Sequence, residues 1–260
     1  TKAQVQPLIE HLTQAKDIDD GTSGKVVVGI KPGSEFKYSG GSYNLLQLII
    51  EEVSGQSFSS YMAIEVFSPL GMNNTGYVHD NVSSLAQYFQ LDGNVRSYPY
   101  YTSLAATGLY TNASDLLKFV QLHTQVSDQK TSQILSKKTL RMMREPEAKM
   151  MGLDLWGLGP ILFASNNNDD FIFGHGGASP GLNATVRLNP NTGNAIIMLT
   201  TGNRALASDT ATQWTLWETG NPDIIMLKNM IPVMIKQFLI GSVVILIISL
   251  VIVWRRRKRK

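Results

Sequence analysis

The sequence predicts an α+β protein: a helical subdomain, an antiparallel sheet flanked by helices, and one transmembrane helix that follows them. Three observations indicate this class. Helix-like segments dominate the chain as far as residue 144. Short strand-like segments, separated by turn residues, follow between residues 152 and 200. Residues 238–254 are then 17 consecutive uncharged residues, and a run of basic residues comes directly after them.

The helical half has apolar residues at helical spacing in four segments, after a first stretch, residues 1–16, that is compatible with a helix. Ser54-Gly55 is a C-cap signature that ends the first of these segments. Pro69 and Gly71 end the second segment, because proline cannot continue a helix and glycine favours its end. The predicted helices are residues 43–53, 58–67, 112–125 and 136–144.

The sheet half has apolar runs of strand length, bounded by Gly, Pro and Asn. The turn residues Asn-Pro-Asn-Thr-Gly at 189–193 predict a hairpin between the last two strands. A final helix is predicted at residues 205–217. The predicted strands are residues 152–163, 171–175, 183–188 and 194–200.

The apolar segment near the end is predicted to cross a membrane as residues 231–254. The uncharged stretch alone would span about 26 Å as a helix, against about 30 Å for a hydrocarbon core. Extension to residue 231 includes Lys236, which can reach one interface, and Trp254 suits the other. A buried core helix is the alternative, but the basic run at 255–260 argues against it. That run also predicts a cytoplasmic C-terminus.

These features divide the chain into four parts. Residues 1–219 form an extracytoplasmic domain, 220–230 a linker, 231–254 the membrane helix and 255–260 a basic cytoplasmic tail. The chain begins TKAQVQPLIE, with no initiator Met and no apolar leader, although an exported domain needs a signal. We therefore expect a missing upstream segment: either a signal peptide was removed, or the chain is a fragment.

Composition and charge exclude several classes of function. The formal net charge is +3, but without the six basic residues at the end the balance is 17 basic against 20 acidic residues. The rest of the chain is therefore mildly acidic, and we expect no nucleic-acid partner. The absence of cysteine excludes disulfides and thiolate metal sites. The four histidines lack metal-ligand spacing, so we expect no metal; they are His11, His79, His123 and His175.

The first candidate site is the loop of residues 37–43 (KYSGGSY), directly before an apolar helix. Two glycines allow tight backbone geometry, and Tyr38 could act as an acid or base if cations lie nearby. On the local sequence alone, a packed tyrosine beside a glycine turn is the more ordinary interpretation.

The second candidate is residues 174–181 (GHGGASPG), directly after an apolar strand. Glycines in a strand permit close approach by a ligand, and exposed backbone N–H groups can stabilise an oxyanion. A lone histidine in a glycine-rich bend is otherwise an ordinary turn residue.

Several segments in succession are more specific than either loop alone. Residues 32–77 contain PGSEF, YSGGSYNLL, IIEEVSG and SPLGM, and residues 105–120 read AATGLYTNASDLLKFV. WGLG at 156–159 and HGGASPGLNATV at 175–186 follow in the same order. Most of residues 30–204 thereby resembles the penicillin-binding-protein and class C β-lactamase family of serine hydrolases. The resemblance implies a β-lactamase/transpeptidase-like fold.

In that family a serine attacks an acyl carbonyl and forms an acyl-enzyme. The resemblance implies that Tyr38 is the proton shuttle, first as a base toward the serine and then as an acid toward the leaving group. Gly40 stands where the family usually has an asparagine that contacts the substrate amide. That contact is therefore absent here.

The resemblance also implies roles on the glycine-rich strand. His175 takes the place of a lysine that helps to orient the substrate carboxylate and the tyrosine, and it does so more weakly because histidine is only partly charged at neutral pH. Gly176 and Gly177 would let the substrate lie against the strand. The backbone N–H of Ala178 would be one oxyanion donor. No cofactor or metal is implied.

The family nucleophile belongs to a Ser-x-x-Lys motif at the start of a buried helix, well before the tyrosine loop. Ser34-Glu-Phe-Lys37 and Ser127-Asp-Gln-Lys130 match that spacing. We reject both as nucleophiles, because neither has the required apolar flank or helix start. We expect this chain to contain no nucleophile, and the missing upstream segment to carry it.

These observations favour a membrane-anchored, extracytoplasmic serine hydrolase whose partners are the lipid bilayer and a small-molecule or peptide substrate. A D-Ala-D-Ala cell-wall peptide, a β-lactam and an ester all fit this class, and the fold does not choose among them. The chain alone would be inactive. The alternative is a non-catalytic binding or scaffold module of the same fold, favoured by Gly40 and by the lack of Ser-x-x-Lys in its proper context.

Overall fold

The structure is a computed structural model that describes residues 6–14, 25–77, 84–124, 134–150 and 152–258. It is an α+β protein with the antiparallel sheet, the flanking helices and the long apolar C-terminal helix that the sequence predicts. The helices are α1 (Leu8–Thr13), α2 (Gly40–Ser54), α3 (Phe58–Met62), α4 (Ala113–Gln121), α5 (Lys137–Met142), α6 (Leu206–Thr219) and α7 (Ile224–Lys258). The strands are β1 (Tyr88–Phe89), β2 (Val95–Arg96), β3 (Ala148–Met150), β4 (Leu153–Trp156), β5 (Ile161–Ser165), β6 (Phe171–Ser179), β7 (Leu182–Leu188) and β8 (Ala195–Thr201).

Strands β3 to β8 form one antiparallel sheet in sequence order, and β1 and β2 form a separate ribbon. Sequential antiparallel order means that short turns and hairpins make each connection. In the β7–β8 hairpin, residues 189–193 form the predicted turn, where the Asn189 N–H donates to the Asn194 carbonyl and the Gly193 N–H to the Asn189 carbonyl, each at 2.9 Å.

Among the described residues, two apolar clusters form the core, and α4 connects them. In the helical half, Leu122 packs with Phe67 and Leu140. In the sheet half, Val120 packs with Phe173 and with neighbours on β5 and β7. Because Val120 and Leu122 lie two residues apart near the end of one helix, they point to different sides of it. Helix α4 therefore fixes the helical half against the sheet.

Helix boundaries follow the capping residues. The Ser39 side chain accepts a hydrogen bond from the Ser42 N–H, so α2 begins at Gly40, three residues before the predicted start. Gly55 ends α2 in the left-handed conformation, with φ +67°, as the Ser54-Gly55 signature predicts. Helix α3 continues as a π-helical turn, Ala63–Phe67, so the predicted helix 58–67 is present but not uniformly α-helical.

The prediction of one continuous strand over residues 152–163 is wrong. Strand β4 ends at Trp156, and β5 begins at Ile161. Between them the Gly157 N–H donates to the Pro160 carbonyl at 2.9 Å, and Gly159 has φ +115°. Glycine reaches this region of φ without a steric penalty, so the Gly-Leu-Gly-Pro segment turns the chain.

The prediction that the next strand ends at residue 175 is also wrong. Strand β6 continues to Ser179 and pairs with β7 along its whole later half. Pairing with β7 keeps the glycine-rich backbone extended where the residue types alone suggest a bend.

A buried ion pair joins the sheet to the helices behind it. Arg187 on β7 is 1% exposed, and its Nη1 donates to the carboxylate of Asp223, which is fully buried. Nη1 also donates to Thr215 Oγ1 at 2.8 Å, Nη2 donates to Thr212 Oγ1 at 3.2 Å, and the guanidinium lies 3.7 Å from the Phe163 ring centroid. Burial lowers the pKa of Arg187, and the Asp223 carboxylate opposes that shift.

Asp223 also begins the last helix. Its Oδ1 accepts a hydrogen bond from the Met226 N–H at 2.6 Å, the contact of an N-cap residue. Helix α7 therefore starts at Ile224, and residues 224–230 of the predicted linker are helical. The predicted linker is reduced to residues 220–223.

Helix α7 is long and apolar enough to cross a membrane, by length and composition. Its most apolar window of 18 residues has a mean hydropathy of 2.6, and none of that window is buried within the fold. A core helix of a soluble domain would be covered by its neighbours. Among the described residues, no such cover lies on this window.

Candidate active site

The tyrosine loop lies directly before α2. Tyr38 precedes the N-cap Ser39, and its side chain is 65% exposed. The nearby Tyr43 is half-buried in α2, and its hydroxyl donates to the Gly159 carbonyl at 3.5 Å. Burial raises the pKa of Tyr43, and the proximity of Tyr38 raises it further. Of the two tyrosines, Tyr38 is the one that presents its ring to solvent.

The two glycines of this loop have different surroundings. A Cβ on Gly41 would lie 2.8 Å from Val26 Cγ2, so a side chain there would collide. A Cβ on Gly40 would meet only the Ala106 Cβ, at an ordinary contact distance of 3.6 Å. Packing therefore requires glycine at position 41 but does not require it at position 40.

Strand β6 carries the second candidate site. His175, Gly176, Gly177 and Ala178 are exposed on it, and they pair with β7 along one edge. Among the described residues, β5 pairs with the opposite edge only as far as Gly174. The later half of β6 therefore leaves backbone groups available on one side, as extended-peptide binding at a strand edge requires.

Gly174 is the point where this strand departs from ordinary geometry. It has φ +155°, and a Cβ there would lie 2.0 Å from the Val186 carbonyl oxygen. Only glycine fits that position, so Gly174 lets β6 pair closely with β7 just before His175.

We expect Gly174→Ala to destabilise the protein by about 3 kcal/mol, because the added methyl group would push β6 away from β7. Gly177→Ala is the matched control on the same strand, since its Cβ would meet only the Ala184 Cβ, at 3.9 Å. It should cost less than about 1 kcal/mol. Chemical denaturation of the two variants compares them. Equal stability would show that the Gly174 backbone adjusts freely.

The fold brings the two candidate sites together. The ring centroids of Tyr38 and His175 are 6.4 Å apart, although 136 residues separate these residues in the sequence. The His175 Nδ1 lies 2.6 Å from the Gly176 carbonyl oxygen. Because a carbonyl only accepts, a hydrogen bond there places a proton on Nδ1 and leaves the Nε2 side of the ring for other contacts.

Two further aromatic residues belong to this group. Trp156 lies 5.6 Å from Tyr38, 5.6 Å from His175 and 5.1 Å from Phe36, measured between ring centroids. The sequence assigns no role to Trp156 or Phe36. Their signal is present in the motifs, since Trp156 begins WGLG and Phe36 lies in PGSEF, but the motifs do not show that these rings meet.

A cavity of about 380 Å³ lies beside the later half of β6. Its walls include Gly177, Ala178, Tyr98 and Tyr110. Neither Tyr38 nor His175 lines it. The cavity therefore adjoins the strand at its Ala178 end, away from the tyrosine.

The structure also bears on the rejected serines. The Ser34 hydroxyl donates to the Lys31 carbonyl at 2.7 Å, and its N–H to the same carbonyl at 3.1 Å, so this serine lies in a turn and not at a helix start. Ser127 and Lys130 lie outside the described residues. In the part of the chain that the structure describes, no three acidic or histidine side chains are close enough to hold a metal ion.

Comparisons with known proteins agree with this architecture. Protein flp of Staphylococcus aureus (strain NCTC 8325 / PS 47) is 28% identical over 177 residues, which are 65% of this chain and 34% of that protein. The octameric penicillin-binding protein homologue from Pyrococcus abyssi has a TM-score of 0.56 and 26% identity, over 67% of this chain and 41% of that one. D-amino acid amidase from Ochrobactrum anthropi SV3, complexed with L-phenylalanine amide, shares the fold, with a TM-score of 0.51 and 22% identity, over 65% and 51%.

The matched region is most of this chain but only a part of each relative: this chain spans about a third of the length of the Staphylococcus relatives. The Beta-lactamase family model matches residues 24–220, which contain the tyrosine loop and strands β1 to β8. This match confirms the resemblance that the motifs indicate, and the chain belongs to the beta-lactamase family.

Proposed function

We propose that this chain is part of a membrane-anchored, extracytoplasmic serine hydrolase that forms an acyl-enzyme from an amide or ester. The main support is that Tyr38 lies beside His175, next to a strand whose glycines are exposed. Family membership supports the serine-hydrolase class. The candidate substrates are a peptide ending in D-Ala-D-Ala, a β-lactam and a simple ester.

Tyr38 is the proposed proton shuttle. It takes the proton of the serine hydroxyl as the serine oxygen bonds to the acyl carbonyl carbon, and it gives that proton to the leaving group as the acyl–leaving-group bond breaks. Water then attacks the acyl carbon: Tyr38 takes a proton from the water and gives it to the serine oxygen as the acyl–serine bond breaks. The exposed position of Tyr38 suits this role, because both reacting groups must reach its hydroxyl.

The strand is proposed to bind the substrate. Gly176 and Gly177 let the substrate backbone lie along the free edge of β6, and His175 orients the substrate carboxylate and Tyr38. The Ala178 N–H stabilises the oxyanion as the carbonyl becomes tetrahedral.

The nucleophile is proposed to come from a Ser-x-x-Lys segment outside this chain. The turn geometry of Ser34 supports this, because no helix places Lys37 one turn after it. We call this chain together with that segment the complete form.

Helix α7 is proposed to anchor the domain. Its apolar surface is uncovered in the fold, and basic residues occupy its last described turn. The positive-inside rule places that end in the cytoplasm and the hydrolase domain on the other side of the membrane.

Covalent labelling tests the proposal. Incubation of this chain with a fluorescent penicillin or a fluorophosphonate, followed by intact-mass measurement, should show no adduct. The complete form should gain the mass of one probe on the serine of its Ser-x-x-Lys segment. A covalent adduct on Ser34 or Ser127 of this chain would contradict the assignment of the nucleophile to another segment.

One observation favours a non-catalytic binding module as the second candidate. Gly40 occupies the position of the family asparagine although packing leaves room for a Cβ there. Nothing steric therefore explains the loss of the substrate-binding amide. The two candidates differ in the sequence upstream of Thr1: a Ser-x-x-Lys with an apolar flank favours the enzyme, and its absence favours the binding module.

A further inference from the structure

Trp156 lies at the centre of the aromatic group that contains both candidate site residues. Its ring is edge-on to Tyr38, at an interplanar angle of 65°, and to His175, at 80°. Edge-to-face pairs at centroid separations of 4.5–7 Å are favourable arrangements of aromatic rings. The indole therefore contacts a residue of the tyrosine loop and a residue of β6 at once.

The backbone around Trp156 is held on two sides. Trp156 pairs with Ile161 on β5, and the Trp156 carbonyl accepts a hydrogen bond from the Glu147 N–H at 2.9 Å. The next residue, Gly157, has no room for a side chain, since a Cβ there would lie 2.3 Å from the Met143 carbonyl oxygen. Paired strands and a closely packed turn thus fix the position from which the indole projects.

The two residues that Trp156 contacts are less constrained. Tyr38 is 65% exposed in a loop, and His175 is exposed on the part of β6 that β5 does not pair with. Their direct ring separation of 6.4 Å is longer than the 5.6 Å separation of each from Trp156. The shorter contacts thus connect Tyr38 to His175 through the indole.

We propose that Trp156 is a positioning residue that holds the Tyr38 ring at a fixed distance from His175. The inference rests on the proposed function, because it matters for activity only if Tyr38 moves the proton and His175 orients the substrate. Phe36 also contacts the indole, with ring centroids 5.1 Å apart and an interplanar angle of 34°. Trp156 does no chemistry itself.

The direct test measures the Tyr38–His175 contact in the full chain, reconstituted in lipid nanodiscs. Selective labelling of tyrosine and histidine allows a nuclear Overhauser effect between their ring protons to be recorded. We expect this effect to be strong in the unmodified chain, weaker in Trp156→Phe and lost in Trp156→Leu. Trp217→Leu is the matched control, because Trp217 is 78% exposed on α6, and it should leave the effect unchanged.

The outcomes separate positioning from packing. A residue that only packs would lower the melting temperature in Trp156→Leu and leave the Tyr38–His175 effect in place, which would overturn the proposal. If Trp156→Leu does not fold, Trp156→Phe decides, since an unchanged effect in that variant also overturns it.

Kinetics of the complete form give a second readout. Trp156→Leu should lower kcat about 100-fold, the cost of a displacement of about 1 Å in a reacting group, with KM nearly unchanged. Trp156→Phe should recover part of that loss. A change confined to KM would contradict positioning. If the unmodified complete form turns over no substrate, the proposed function fails, and the nanodisc measurement still decides the role of Trp156.

Discussion

Tyr38→Phe is expected to reduce kcat of the complete form by a factor of about 10² to 10⁴, the usual contribution of a positioned acid or base. Phenylalanine keeps the ring that packs against Trp156 and removes only the hydroxyl. The loss should therefore appear in kcat rather than in stability. Steady-state hydrolysis of a chromogenic ester measures it, and thermal denaturation checks that the variant remains folded.

Tyr43→Phe is the matched control for this experiment. It removes a hydroxyl from the same motif, but that hydroxyl makes a long hydrogen bond to the Gly159 carbonyl, and Tyr43 is half-buried. We expect kcat to fall less than about tenfold in this variant. Near-normal kcat in Tyr38→Phe would exclude Tyr38 as the shuttle, and equal losses in both variants would indicate a general effect of the loop.

Asp223→Ala is expected to have the largest effect on stability, about 3–5 kcal/mol. It leaves the Arg187 guanidinium buried without its counter-charge and removes the cap of α7. For a domain of this size the loss corresponds to a fall in melting temperature of roughly 10 °C or more. Thermal denaturation of the full chain in detergent, followed by circular dichroism, measures it.

Two controls define the cause of that loss. Asp209→Ala removes an exposed carboxylate from α6 and should change stability by less than about 0.5 kcal/mol. The double variant Arg187→Met with Asp223→Leu removes both charges and should be more stable than Asp223→Ala alone, because a buried pair can be replaced by apolar residues at little cost. If the double variant is no more stable, the lost cap rather than the unpaired charge explains the effect.

Local signals in the sequence predicted much of the fold. Ser54-Gly55 marked the end of α2, the Asn-Pro-Asn-Thr-Gly turn marked the β7–β8 hairpin, and the apolar stretch marked α7. Each of these signals acts within a few residues, so the residue types carry it. The family and its fold class followed from the order of several motifs, and the family match confirms both.

Contacts between distant residues were not predictable in the same way. Arg187 and Asp223 are 36 residues apart, and nothing near Asp223 indicates a buried partner. The residue type of Asp223, directly before an apolar run, is consistent with a helix cap. The proline and glycine before it suggest a linker instead. Residues 224–230 are therefore predicted as a linker, whereas the cap at Asp223 begins α7 at Ile224 and makes them helical.

The site was predicted in part. Tyr38 and His175 were singled out by motifs, and the structure places their rings together, but their catalytic roles stay predictions. Trp156 was missed because its motif was assigned to the sheet as a strand. In that segment the glycines turn the chain, so β4 ends at Trp156 and the indole lies beside the two candidate residues.

The position of Asp223 has a consequence for where this protein can act. Helix α7 has 35 residues, a length of about 52 Å, whereas a bilayer core is about 30 Å thick. With α7 across the bilayer as residues 231–254, as proposed, residues 224–230 of the same helix stand outside the core on the domain side, a length of about 10 Å that begins at the ion pair beneath the sheet. The domain is then connected to the membrane by a short helical segment rather than by a flexible linker. Its reach is confined to a thin layer above the membrane, so only substrate that enters that layer would meet Tyr38.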